Sequence, residues 1–343
     1  MKKKSQGDIG KELLVPITRL DDDGQGVGEA AGRMVAVHGA LPGDVVKMRI
    51  TWASASSPWA RGQLLSIKDT SPARAHNTCA HAPQCVGCPL RALDQATQLS
   101  EKLARVRRAF DDVKLNLPIQ PVVPAPSTLG YRSRAKYVVE GSLLGAYAPG
   151  THSVVPTVGC EVVAPAITSA ARELEALLPS SPALRYVVMR TNRQGQVLAA
   201  FIVRKPGELV ELARALVHKA THVVGVVEHL QPDEGNAIFN RGHLKPAVLV
   251  GAGALQEELS GMSITLGATE FTQLHPTAAD LLVNHVRGML APLGGKRVVD
   301  AYCGLGAFAF ALRDAASVLG VDDNAESIAA AQRAATRSPT SAS

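Results

Sequence analysis

The feature that most constrains this chain lies at residues 296–335. Lys296-Arg297-Val298-Val299-Asp300-Ala301 reads as a buried strand, and Tyr302-Cys303-Gly304-Leu305-Gly306-Ala307-Phe308 as a tight glycine turn, with a helix starting over Ala309 to Arg313. Ser317 to Asp322 is a second strand ending in an acid, and Asn324 is placed to cap a helix over 325–335. Strand, glycine loop, helix, strand and acid in this order predict the first βαβ unit of a doubly wound nucleotide-binding sheet. Gly304 and Gly306 let a ligand approach the backbone, and Asp322 at the second strand's tip can accept hydrogen bonds from ribose hydroxyls. Fewer glycines than the dinucleotide fingerprint favour S-adenosylmethionine over NAD. A βαβ unit that is only structural is the alternative.

A second constraint is the cysteine pattern. Cys79, Cys85 and Cys88 are separated by five and then two residues. The short gap lets two thiolates reach one metal centre through a turn that Gly87 permits. Iron–sulfur and structural zinc sites usually take four ligands, so a fourth is required, and Cys160, Cys303, His76 and His81 are the candidates. Spacing alone leaves zinc and an iron–sulfur cluster both open, against the plainer reading of unrelated buried thiols. The Met1-Lys2-Lys3-Lys4 start is followed by a polar run and not an apolar core, which argues against a signal peptide. With no apolar stretch of about 18 residues, no membrane association is expected, and a cytoplasmic location is. There five cysteines point to metal binding or catalysis before disulfides.

Residues 13–68 read as short strands separated by the turn signals Asp23-Gly24, His38-Gly39 and Pro42-Gly43-Asp44, which suits a closed five-stranded barrel. The loop Gly24-Gln25-Gly26-Val27-Gly28 looks like a phosphate cradle. No helical pattern follows it to hold a phosphate, so a barrel turn is the better reading. A net charge of +6 and a pI of about 9.1 suit a polyanionic partner without identifying one. A basic amphipathic helix is expected over 94–110. Gly130 to Val139 reads as a strand with Arg132, Arg134 and Lys136 on one face and tyrosines beside them, a combination that can grip phosphates and stack bases. A polar, solvated sheet face is the alternative.

Taken in order, these segments resemble the bacterial iron–sulfur RNA uracil-5-methyltransferases, in particular the ribosomal-RNA type with an N-terminal TRAM domain. Asp23-Gly24-Gln25-Gly26-Val27-Gly28 and Leu41-Pro42-Gly43-Asp44 look like TRAM. Gly130 to Arg134 resembles that family's RNA-side strand, Phe271-Thr272-Gln273 its entry to the methyltransferase domain, and Asp300 to Gly306 its cofactor loop. The resemblance implies an α/β multidomain protein. A small OB-like barrel spans 10–70, a central α+β RNA-side domain with the cysteine cluster spans 71–265, and the first part of a Rossmann-like methyltransferase domain spans 266–343. It implies S-adenosylmethionine bordered by Gln273, Tyr302, Gly304, Gly306, Ala307 and Asp322. It also implies a [4Fe-4S] cluster on Cys79, Cys85, Cys88 and Cys160, and a monomer acting on RNA, ribosomal before transfer RNA, through Arg132, Arg134 and Lys136. Ala307 departs from the family, which often has a polar residue there.

A larger departure is an absence. Uracil C5 becomes nucleophilic only after a thiolate adds to C6, and a base then removes the C5 proton. The family's Ser-Cys-Asn-Pro-like segment, the Asp-Pro-Pro-like motif before it and the terminal glutamate base do not occur in this sequence, and the resemblance makes Cys303 a loop residue, not the nucleophile. The expectation is a C-terminally truncated chain with no catalytic residue of its own. A cluster-stabilised RNA-binding module without catalysis is the competing class.

Overall fold

A computed structural model describes residues 8–337 apart from 77–78, 83, 150, 180–182, 208, 233–237 and 240–245. The basic start at Met1–Lys4 and the tail at 338–343 lie outside the described residues. Contacts divide the chain into two compact units. One holds the residues up to Pro124 with Ala148–Gly150, and the other runs from Ala125 onward.

The first unit opens with five strands, β1 (Glu12–Leu20), β2 (Gly26–Ala30), β3 (Arg33–Val37), β4 (Val45–Ala53) and β5 (Trp59–Asp69), closed into a barrel in the order β1-β2-β3-β5-β4. Alternation places Val15, Ile17, Val35, Val37, Val46, Met48 and Ile50 inside it. The glycine loop serves this barrel. A methyl group at Gly28 would lie 2.1 Å from the Pro16 carbonyl oxygen, and one at Gly26 would lie 2.5 Å from that of Ala40. Close strand approach, not phosphate, demands these glycines. Asp44 is buried and takes the Leu41 and Ser71 amides at 2.7 and 2.8 Å, and it pairs with Arg74. One carboxylate therefore joins the barrel turn to the cysteine segment. The basic helix α1 (Gln95–Asp112) follows, capped by Asp94, which accepts the Thr97 amide at 2.9 Å.

The second unit is built on a seven-stranded sheet in the order β12-β11-β10-β9-β6-β7-β8. Its strands are β6 (Arg134–Glu140), β7 (Leu143–Tyr147), β8 (Val154–Pro156), β9 (Leu184–Thr191), β10 (Val197–Val203), β11 (Val223–Leu230) and β12 (Ala247–Gly251). Helices α2 (Pro165–Leu177) and α3 (Val210–Lys219) supply Ile167, Leu174 and Leu216 to the core of one face, with Val187, Met189 and Phe201 from the strands. β10 is apolar throughout and buried at every residue, as a strand covered on both faces must be. The hairpin β13 (Leu255–Leu259) and β14 (Met262–Leu266) leads to α4 (Pro276–Leu290) and to a parallel pair, β15 (Arg297–Ala301) and β16 (Ser317–Val321), with α5 (Ala307–Ala311) between them and α6 (Ala325–Arg337) after. Met262, Ile264 and Leu266 of the hairpin pack with Ala330 and Ala334 of α6.

This packing explains why residues 266–337 are not set apart from the sheet before them. Arg190 of β9 is buried. It donates to the Gly267 carbonyl and, at 2.7 Å, to that of Glu270. Ser133 donates its amide to Leu274 at 2.9 Å. Two expected boundaries shift. The basic strand begins at Arg134 and not Gly130, because Gly130 has φ +64° and Arg132 forms only an isolated bridge with Val163. The loop helix begins at Ala307, two residues before its expected start. No helix among the described residues is long and apolar enough to cross a membrane.

Candidate cofactor site

The parallel register pairs Asp300 with Gly320 and Ala301 with Val321, so both strands end at one level. The Val321 carbonyl accepts the amides of Tyr302 and Cys303 at 2.7 and 3.0 Å. This turns the chain sharply after β15. Tyr302 takes φ +67°, a conformation that costs a non-glycine residue about 1–3 kcal/mol and clusters at functional sites, and the residue is 89% exposed. Gly304 and Gly306 follow at φ +54° and +87°, which glycine adopts without that cost. Asp322 then fixes the loop. One carboxylate oxygen accepts the Gly304 amide at 2.8 Å, and the other accepts that of Asn324 at 2.8 Å. A carboxylate oxygen has a second lone pair, so the group can also take ribose hydroxyls. Asn324 caps α6 as the sequence predicts, accepting the Glu326 and Ser327 amides at 3.1 and 3.0 Å.

Two neighbours complete the loop. Asp300 accepts the Ala309 amide at 2.9 Å, and burial, with the nearby Asp322, pushes its carboxyl above the ordinary range. Ala307 gives its carbonyl to the Ser260 hydroxyl at 2.7 Å, which ties the start of α5 to the β13–β14 turn. Cys303 lies over the second strand. A methyl group at Gly320 would meet its sulfur at 3.0 Å. Burial first, then Asp300 and Asp322, pushes its thiol up. A thiol so placed is a poor nucleophile at neutral pH. Gln273 stands exposed in the extended segment before α4.

The metal candidates divide between the units, Cys79, Cys85 and Cys88 in the first and Cys160 in the second. All are half-buried and none is in a disulfide. Cys85 is held in a turn by its own amide to the His81 carbonyl at 2.7 Å, and its sulfur accepts the Gly87 amide at 3.4 Å. Cys160 packs at the edge of the helix-side core, in a turn at Gly159 with φ +95°. Beside it the Tyr137 hydroxyl is buried with no hydrogen-bond partner among the described residues. Burial and the nearby Cys160 both push that phenol up. No three His, Cys, Asp or Glu side chains among the described residues are grouped so as to hold a metal ion, so the expected convergence of sulfurs is not displayed.

The three cations expected to face RNA differ from one another. Lys136 is exposed, with its ammonium 4.7 Å from the centre of the Tyr186 ring. Arg134 is half-buried over Phe239 at 5.4 Å, and burial pulls its guanidinium below the ordinary range. Arg132 precedes the strand and donates to the Arg134 carbonyl at 3.2 Å. Of the tyrosines, Tyr137 is buried on the opposite, helix-covered face, and Tyr131 stacks on His275 at 4.5 Å. His275 is a residue that sequence reasoning missed. It caps α4, accepting the Ala278 amide at 3.3 Å, and its other ring nitrogen meets the Ser127 carbonyl at 3.0 Å. Its position just before the helix-starting Pro276 was the available signal.

Residues 8–65 match the TRAM domain family. Over 338 residues the chain is 30% identical to an uncharacterized RNA methyltransferase of Thermosynechococcus vestitus, an alignment covering 93% of this chain and 74% of that protein. A relative from Bacillus anthracis with the same description is 29% identical, over 97% of this chain and 76% of its own. In three dimensions the chain resembles the tRNA (uracil-54, C5)-methyltransferase of Pyrococcus abyssi in complex with S-adenosyl-L-homocysteine. The TM-score is 0.73 at 21% identity, over 94% of this chain and 76% of that one. That likeness shows a shared fold. The sequence relatives, the TRAM match and the strand-end loop together place this chain in the bacterial TRAM-domain RNA methyltransferase family.

Proposed function

We infer that the protein serves S-adenosylmethionine-dependent methylation of uracil C5 in RNA. The observation that carries this reading is the Asp322 carboxylate holding the Gly304 amide at the ends of two parallel strands, in a chain of this family. Asp322 would take the ribose hydroxyls, and Gly304 and Gly306 leave the backbone open to the adenosine part. The exposed Tyr302 ring and Ala307 flank the loop, and Gln273 borders the same ligand. The bound cofactor supplies the methyl group. Arg132, Arg134 and Lys136 face RNA, with Lys136 the most open of the three. The Pyrococcus protein is described as a transfer-RNA uracil enzyme. Here the TRAM barrel is the feature that favours ribosomal RNA, specifically 23S, over transfer RNA. On this reading the protein works in the cytoplasm as a monomer.

Cys79, Cys85, Cys88 and Cys160 are the proposed ligands of a structural [4Fe-4S] cluster. The donor chemistry supports it: four thiols outside any disulfide, an amide donating to the Cys85 sulfur, and an orphan hydroxyl beside Cys160. The Gly87 amide donating to the Cys85 sulfur stabilises the thiolate form that ligation requires. On this reading the five cysteines serve the metal and cofactor sites, so these residues contribute cofactor and RNA binding, and the thiolate that adds to uracil C6 is supplied from outside them.

The test is to delete the gene for this chain in its own organism and map 5-methyluridine in ribosomal and transfer RNA by mass spectrometry. Loss of a 5-methyluridine from 23S RNA is expected. Loss confined to transfer RNA would overturn the target, and unchanged 5-methyluridine in both would overturn the reaction.

A further inference from the structure

At the end of the central sheet where β9 begins and β10 ends lies a cavity of about 700 Å³. Register puts its walls together. Leu184 pairs with Val203 across β9 and β10, and Tyr186 pairs with Val138 across β9 and β6. The cavity is lined by Tyr147, His152, Arg185, Tyr186, Arg204 and Lys205, and among the described residues no acidic side chain is in its wall. Its size falls within the range of about 300–1,000 Å³ usual for ligand sites.

The lining has two chemistries. The Arg185 guanidinium lies 4.9 Å over the buried Tyr186 ring, and Lys136 sits over the same ring at 4.7 Å, so this phenol anchors two cations. Arg204 and Lys205 are exposed on the loop after β10. Tyr147 meets His152 edge-on at 5.6 Å and is 37% exposed, which leaves part of its ring open. Glu140 is felt by Tyr147, and Glu228 accepts the Gly207 amide at 3.4 Å. Cations beside an open aromatic ring are what single-stranded RNA requires, because the backbone seeks positive charge and an unstacked base seeks a π-face. A small inorganic anion would not use the ring, and a helical duplex would not enter the cavity.

We propose that this cavity is a second RNA subsite that takes one splayed-out nucleotide of a single strand, its base on Tyr147 and its phosphates on Arg204 and Lys205. The proposal rests on the reading that the partner is RNA, and adds a place separate from the cofactor loop.

The test uses the full chain and a fluorescein-labelled uridine octanucleotide, titrated by anisotropy across a salt series. The paired change Arg204→Gln and Lys205→Gln should weaken binding and flatten the log–log salt slope by about 1.4, because each phosphate neutralised on a single strand contributes about 0.7 to that slope. Tyr147→Leu should weaken binding on the order of tenfold at unchanged slope, and Tyr147→Phe should bind like the parent, since stacking per base is worth about 1–3 kcal/mol. A 4-thiouridine version of the octamer should photocrosslink the parent chain within peptides holding Tyr147 or residues 204–207. This reading needs no variant to fold. Parent-like affinity and slope in the charge and Tyr147→Leu variants, or crosslinks only elsewhere, would overturn the subsite and leave the RNA reading standing. A parent chain that fails to bind the octamer at low salt would overturn both.

Discussion

Asp322 holds Gly304. The carboxylate at the end of β16 accepts the amide of the turn after β15 at 2.8 Å, with its second oxygen on Asn324. One side chain thus fixes the loop geometry and the start of α6. Asp322→Ala removes the acceptor for both amides. Stability should fall by about 1–3 kcal/mol if they stay shielded from water, and affinity for S-adenosyl-L-homocysteine should fall at least tenfold. Calorimetric titration and urea denaturation measure the two separately. Unaltered affinity would remove Asp322 from the site.

Cys303 should behave as a slow thiol. Burial, Asp300 and Asp322 all raise its pKa, so its thiolate fraction at neutral pH lies below that of an ordinary cysteine and grows only as the pH climbs above the usual thiol range. Native-state alkylation followed by peptide mass spectrometry should show it reacting more slowly than a free peptide cysteine at pH 7.5. Cys303→Ala should keep ligand binding. Methyl transfer by the parent chain that vanishes in Cys303→Ala would make Cys303 the nucleophile and contradict its assignment to the loop.

Arg190→Met should be among the most damaging single changes in the second unit. The guanidinium is buried, holds the Gly267 and Glu270 carbonyls, and lies 3.9 Å from the Glu270 carboxylate. Its loss strands two carbonyls and an acid, at a cost of about 3–5 kcal/mol by analogy with broken buried pairs. Chemical denaturation provides the value, and a loss below 1 kcal/mol would mean the segment 267–270 is held by other contacts.

Anaerobically purified protein should carry about four iron and four sulfide per chain if all four cysteines ligate one [4Fe-4S] cluster. Cys85→Ser and Cys160→Ser should each lower the iron content. Zinc without iron would replace the cluster with another metal, and iron unaffected by Cys160→Ser would remove the fourth ligand.

Much of this was legible because local chemistry carried it. Turn glycines and alternating valines marked the barrel, and Asp322 and Asn324 stood where a strand end and a helix cap need them. The strand expected to face RNA was less legible. Arg132, Arg134 and Lys136 share a parity, but Gly130 takes a positive φ and Ser133 is bonded to Leu274, so the strand starts only at Arg134. Tyr131 looked like an open ring, and nothing local revealed that His275, far along the chain, stacks on it. Arg190 sits in a strand that reads as apolar, and its carbonyl partners are about eighty residues away. Long-range partners of single polar residues have no periodicity, so no pattern in one sequence announces them.

The proposed S-adenosylmethionine site is the Tyr302–Gly306 loop together with Asp322. The most direct measurement is amide NMR of the labelled 343-residue chain titrated with S-adenosyl-L-homocysteine. Saturable shifts are expected at Tyr302, Gly304, Gly306 and Asn324, and their loss in Asp322→Ala. Amides of this loop unmoved at saturating ligand, with shifts confined to other parts of the chain, would contradict it.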